Sequence, residues 1–88
     1  MEVIYQPKAI EDILFWKRSG NKNIQHKISM LINAIKENPF TSIGKPEPLK
    51  HNLSGMWSRR ITNEHRIVYE IADNSLHIYS LKDHYIGI

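Results

Sequence analysis

Arg66-Ile67-Val68-Tyr69-Glu70-Ile71-Ala72-Asp73-Asn74-Ser75-Leu76-His77-Ile78-Tyr79-Ser80-Leu81 is the stretch that decides the fold. Apolar and aromatic residues alternate on both sides of Asp73-Asn74, so the segment reads as two strands joined by a tight turn. If that turn has two residues, Ile71 faces Leu76 and Tyr69 faces Ile78, and these join Ile67 on the core side. Arg66, Val68, Glu70, His77 and Tyr79 then share the opposite face, which is expected to be open and to collect cations.

Immediately upstream, Met56 to Thr62 places Met, Ser, Arg and Thr on one side and Trp57, Arg59 and Ile61 on the other, a further strand. Asn63-Glu64 joins it to the hairpin, and a pairing of Arg60 with Arg66 across that turn would put both guanidiniums on one face. Phe40 to Pro48, with Gly44, Pro46 and Pro48, has no period and is expected to be an ordered loop. Before it, Ile24, Ile28, Leu31, Ile32 and Ile35 recur at helical spacing, and Asn38-Pro39 ends that helix because proline disfavours helical backbone at the residue before it. An earlier helix follows Pro7, with Ile10, Ile13, Leu14 and the stem of Lys17 on its apolar face, widened by Phe15 and Trp16. Ser19-Gly20-Asn21 connects the helices, and Met1 to Gln6 reads as a first strand. The expected class is α+β: two N-terminal helices packed on one face of a mainly antiparallel sheet, in a single domain over residues 1–88.

A chain of 88 residues has room for one modest core, so any site must be an open cleft or a face. The net charge of +3 is unevenly placed: between Gly44 and Arg66, five cations stand against Glu47 and Glu64, and elsewhere cations and anions balance at seven each. That asymmetry favours a polyanionic partner at this stretch. Without cysteine there is neither a disulfide nor a thiolate metal site, and no histidine pair has metal-ligand spacing, so neither a metal nor a cofactor is expected. Met1-Glu2 does not begin a signal peptide, and no apolar run approaches the roughly 20 residues that span a bilayer. A cytoplasmic protein without membrane contact is expected.

A carboxylate, clustered guanidiniums and a distant histidine are what metal-free phosphodiester cleavage needs. Glu47, flanked by Pro46 and Pro48, is either a solvated loop acid or a base on a stiffened backbone. Arg59, Arg60 and Arg66 taken singly read as exposed strand cations. Paired across the turn, Arg60 and Arg66 repel each other by a few tenths to about one kcal/mol, which a bound phosphate would offset. Among the histidines, His26, His51 and His65 read as surface or loop residues and His77 as a reserve candidate, while His84 has no evident packing role. Trp16, Trp57, Tyr5 and Tyr69 read as core or half-buried residues, leaving Tyr85 to stack on a base.

Gly44-Lys45-Pro46-Glu47-Pro48-Leu49-Lys50-His51-Asn52-Leu53-Ser54-Gly55, then Trp57 to Thr62, Glu64-His65-Arg66, Val68-Tyr69 and finally His84-Tyr85, closely resemble the YoeB family of bacterial toxin–antitoxin toxins, within the RelE-like superfamily. The resemblance covers nearly the whole chain. It implies a microbial-ribonuclease-like fold, mRNA cleavage on the ribosome, and neutralisation by a YefM-type antitoxin. By position it implies that Glu47 is the general base, Arg66 the phosphate-stabilising arginine and His84 the general acid. Lys50 and Arg60 match supporting cations and Tyr85 the adjacent tyrosine; Ile86-Gly87-Ile88, which follow, depart from the family pattern. The competing readings are a non-catalytic RNA-binding module and a domain that binds an acidic protein chain. The oligomeric state stays open, a homodimer included.

Overall fold

Pro7 has no amide hydrogen to give a sheet, and its fixed φ suits the first turn of a helix. In the structure, a computed structural model describing residues 1–84, it follows β1 (Glu2–Tyr5) and opens α1 (Pro7–Ser19). Gly20 takes the left-handed φ of 70° that ends α1, and the Asn21 side chain accepts the Ile24 amide at 3.1 Å to start α2 (Lys22–Glu37). The rest is strand: β2 (Glu47–Pro48), a single 3-10 turn (His51–Leu53), β3 (Trp57–Arg60), β4 (Arg66–Ala72) and β5 (Ser75–Ser80). The sheet order is β1-β5-β4-β3-β2, antiparallel except where β1 runs parallel to β5. The α+β class and the mainly antiparallel sheet are as the sequence indicates.

The hairpin has the expected register, with Tyr69 opposite Ile78 and Ile71 opposite Leu76. Asp73 and Asn74 both adopt positive φ, 52° and 58°, the geometry whose twist matches a two-residue hairpin. Ile67, Tyr69, Leu76 and Ile78 are fully buried and pack with Ile28, Leu31 and Ile35 of α2, where Ile24 and Ile32 flank them. The second helix therefore buries the stripe that its spacing predicts.

The first helix does not. Ile10, Leu14 and Phe15 remain 50%, 42% and 46% exposed, whereas Ala9, Asp12 and Trp16 are buried and Ile13 partly so. The inner stripe contains a carboxylate, which a reading by hydropathy assigns to the outside. Asp12 is satisfied there: its Oδ2 accepts from the Leu81 amide at 2.9 Å and from Lys8 Nζ at 2.9 Å. Trp16 Nε1 donates to the Leu81 carbonyl at 2.9 Å, so α1 holds the chain leaving β5 from both sides of one residue. Leu14→Gln should accordingly change stability by less than about 0.5 kcal/mol in denaturant titration. A loss above about 2 kcal/mol would return Leu14 to the core.

Two further expectations are corrected. Arg59 is no exposed strand cation: it is fully buried on the helix side of β3, in line with Trp57 and Ile61. Its Nε donates to the Tyr69 hydroxyl at 3.1 Å, Nη1 to the Ile43 carbonyl at 3.1 Å, and Nη2 to the Thr41 carbonyl at 2.7 Å and to that of Asn38. Burial pushes the Tyr69 hydroxyl pKa up against the opposing influence of Arg59, so it stays a donor, and it bonds the Pro39 carbonyl at 2.6 Å. The loop after α2 is thereby fastened to the sheet. Gly44 passes so close that a Cβ there would lie 2.8 Å from Leu31 Cδ2, and its φ of 86° excludes most other residues.

The sheet face away from the helices is also not open throughout. Val68 is fully buried on it, His77 and Tyr79 are half-buried, and a Cβ on Gly55 would lie 3.3 Å from the Glu70 carboxylate, so the β2–β3 connection lies against this face. Tyr5, by contrast, is 37% exposed on the edge strand. Among the described residues, no helix is long and apolar enough to cross a membrane.

Candidate active site

Strand alternation builds most of the site. Side chains two apart on a strand share a face, and directly paired residues on neighbouring strands stand side by side. Glu47 pairs with Ser58, and Arg60 pairs with Arg66, so Glu47, Ser58, Arg60 and Arg66 project from the same face, away from the helices. The loop expected over residues 40–48 ends as an edge strand, β2, where Pro48 is tolerated because an edge leaves one side unpaired. The Arg60 amide donates to the Gly44 carbonyl at 2.7 Å and fixes the approach of Lys45 to this face.

These residues line one cavity of about 150 Å³: Lys45, Glu47, Ser58, Arg60, Arg66 and His84. The sequence-predicted base, both arginines of the cross-strand pair and the predicted acid thus meet. Lys50 is not among them. It lines a neighbouring cavity of about 280 Å³ that shares Glu47 as a wall, with Pro48, Leu49, His51 and Leu53. His77, the reserve candidate, is paired with Ile4 and Glu70 and lies 3.4 Å from Gln6 Nε2, outside the site cavity. Tyr85 and the Ile86-Gly87-Ile88 tail lie outside the described residues.

Lys45, which the sequence reading counts only among the cations near Glu47, and Ser58 are the site members not named as candidates from the sequence. Their signal was present, because each lies two residues before one already chosen, Glu47 and Arg60.

Arg66 is held by its own loop. Its Nη1 donates to the carbonyls of Thr62 at 2.7 Å, Asn63 at 3.1 Å and His65 at 3.2 Å, which sets the plane of the guanidinium. His84 reaches the cavity because residues 81–83 are latched at both ends: Leu81 by Asp12 and Trp16, Asp83 by His65 and Arg66. The arrangement can place a cationic fork, a carboxylate and an imidazole around one anionic group.

The chain and its fold are similar to known proteins. The model of the YoeB-like toxin of bacterial type II toxin–antitoxin systems matches residues 5–85. Toxin YoeB of Escherichia coli (strain K12) is 49% identical over 85 residues, which make up 97% of this chain and 100% of the relative. A YoeB/ParE toxin from Agrobacterium tumefaciens superposes with a TM-score of 0.92 at 39% identity, covering 97% of this chain and 100% of that one. A chain in the YoeB-YefM complex from Staphylococcus aureus gives 0.87 at 43% identity, over 97% and 98%. The chain belongs to the YoeB-like toxin family of bacterial type II toxin–antitoxin systems.

Proposed function

We propose that this toxin is a cytoplasmic endoribonuclease that cleaves mRNA on the ribosome and so inhibits translation, restrained by a YefM-type antitoxin. The observation that carries the reading is the like-charged pair Arg60–Arg66, side by side in one cavity with Glu47 and His84. Two guanidiniums held together at a cost are accounted for by a phosphate between them.

In the reaction, Glu47 takes the proton of the 2′-hydroxyl, and the freed oxygen attacks the adjacent phosphorus. Arg66 and Arg60, joined by Lys45 at the same cavity, stabilise the charge that grows on the non-bridging oxygens. His84 gives a proton to the departing 5′-oxygen, leaving a 2′,3′-cyclic phosphate, which water can open to a 3′-phosphate, and a free 5′-hydroxyl. Each proton and each charge is assigned to a side chain, so the scheme requires neither a metal nor a cofactor. Lys50, on the wall behind Glu47, serves a flanking phosphate. Tyr85, matched by family position, stacks the neighbouring base.

The Staphylococcus aureus relative is described in complex with YefM. A net-positive chain whose excess charge lies around its cleft suits an acidic, partly disordered antitoxin segment.

The test is the chemistry of the cut ends. Programmed ribosomes incubated with the toxin should yield downstream fragments that polynucleotide kinase labels without prior phosphatase, because their ends are 5′-hydroxyls. Fragments bearing 5′-phosphates, or RNA that is bound and left intact, would overturn the scheme.

A further inference from the structure

His65 lies outside the site cavity, yet its ring is tied to the segment that delivers His84. Its Nδ1 accepts the Asp83 amide at 2.8 Å, while the next amide, that of Arg66, donates to the Asp83 carbonyl at 3.0 Å. Asp83 is therefore gripped at both backbone groups by consecutive residues, His65 at the end of the β3–β4 connection and Arg66 at the start of β4. Its φ of 63° makes it the turn from which His84 departs. Because Nδ1 is an acceptor in this bond, the ring is neutral with its proton on Nε2.

The ring is itself held firmly. It packs edge-on against Trp16, with centroids 4.9 Å apart and planes at 83°, and the same indole donates to the Leu81 carbonyl. The His65 amide donates to Thr62 Oγ1 at 3.1 Å, and its carbonyl accepts from the Ile61 amide at 2.9 Å and the Thr62 amide at 3.2 Å. That carbonyl also accepts from Arg66 Nη1 at 3.2 Å, so one residue touches both the catalytic guanidinium and the stem of the acid. The Asp83 carboxylate is exposed: its Oδ1 lies 3.9 Å from Nδ1, beyond hydrogen-bond reach, and its Oδ2 accepts from Lys82 Nζ at 3.2 Å, so the grip is on the Asp83 backbone.

We infer that His65 is a positioning residue for His84: its unprotonated Nδ1 fixes the Asp83 turn and thereby sets where the general acid meets the leaving oxygen. The inference rests on the ribonuclease reading and deepens it. Displacement of a reacting group by about 1 Å can lower a rate on the order of a hundredfold without altering binding.

The test compares the parent with His65→Phe, which keeps a ring against Trp16 but has no acceptor, and His65→Asn, whose Oδ1 can stand where Nδ1 stands. His65→Phe should lower the saturating single-turnover rate about ten- to a hundredfold with half-saturation unchanged. His65→Asn should recover most of that loss. In a His84→Ala background, His65→Phe should cost nothing further, as expected when one residue acts through the other.

Amide exchange followed by NMR gives a second readout, independent of cleavage. The Asp83 amide should be protected in the parent and in His65→Asn and exchange as open chain in His65→Phe. If His65→Phe cuts at the parental rate while His84→Ala is inactive, the positioning role is wrong and the ribonuclease reading stands. If His84→Ala itself cuts at the parental rate, the proposed acid is wrong. An unprotected Asp83 amide in the parent overturns the grip whatever the activity, and this last measurement decides even where His65→Phe does not fold.

Discussion

Replacing Glu47 by glutamine should lower single-turnover cleavage about 10²- to 10⁴-fold while the protein folds normally and still binds programmed ribosomes. The expectation follows from what Glu47 does and does not touch. Its side chain is exposed at an edge strand, paired through the backbone with Ser58, so a neutral isostere removes no packing. What it removes is the one carboxylate on the cavity wall among the described residues, and with it the group proposed to take the 2′-hydroxyl proton. Charge also changes in a telling direction: losing an acid beside Lys45, Arg60 and Arg66 makes the cleft more positive, so RNA should bind at least as well. Binding retained with chemistry lost separates an enzyme from an RNA-binding module. A glutamine variant that cleaves at the parental rate would make Glu47 a loop acid, and a variant that loses binding would give it a structural role.

Replacing Arg59 by methionine should cost about 3–5 kcal/mol, a large share of the stability of a small domain. Methionine can fill much of the space but leaves the carbonyls of Asn38, Thr41 and Ile43 and the Tyr69 hydroxyl without their shared donor. A drop of that size lowers the melting temperature by more than about 10 °C at this chain length. Arg59→Lys should recover little, since a single ammonium cannot reach acceptors spread around a planar fork. Stability within about 0.5 kcal/mol of the parent would mean that the guanidinium is dispensable. Activity should fall as well, because the loop that Arg59 fastens runs on through Gly44 to Lys45 and Glu47.

The readable and unreadable parts of the site differ in how far their causes lie along the chain. Arg60 and Arg66 could be proposed as partners from the sequence because a period of two lets both fall on one face, and the structure pairs them across a connection over residues 61–65. Arg59, next to Arg60, reads by its charge as an exposed strand cation, although alternation puts it with Trp57 and Ile61. Deciding its burial needed the carbonyls of the loop after α2, which only the folded chain brings to it. Asp12 misled in the same way: its partner is the Leu81 amide at the far end of the chain. His65, read as a loop histidine, acquires its role only once Asp83 lies against it.

By itself the sequence determined the two helices, the hairpin with its register, the α+β class and the residues that resemble a YoeB site, because hydrophobic period, turn chemistry and motif are written in neighbouring positions. Tertiary structure alone decided which polar groups lie inside, which face of α1 is covered, and that His84 reaches the cavity of Glu47 and Arg66. Burying a charge is tolerable only where distant backbone supplies its partners, and a latch between chain segments exists only after both have packed.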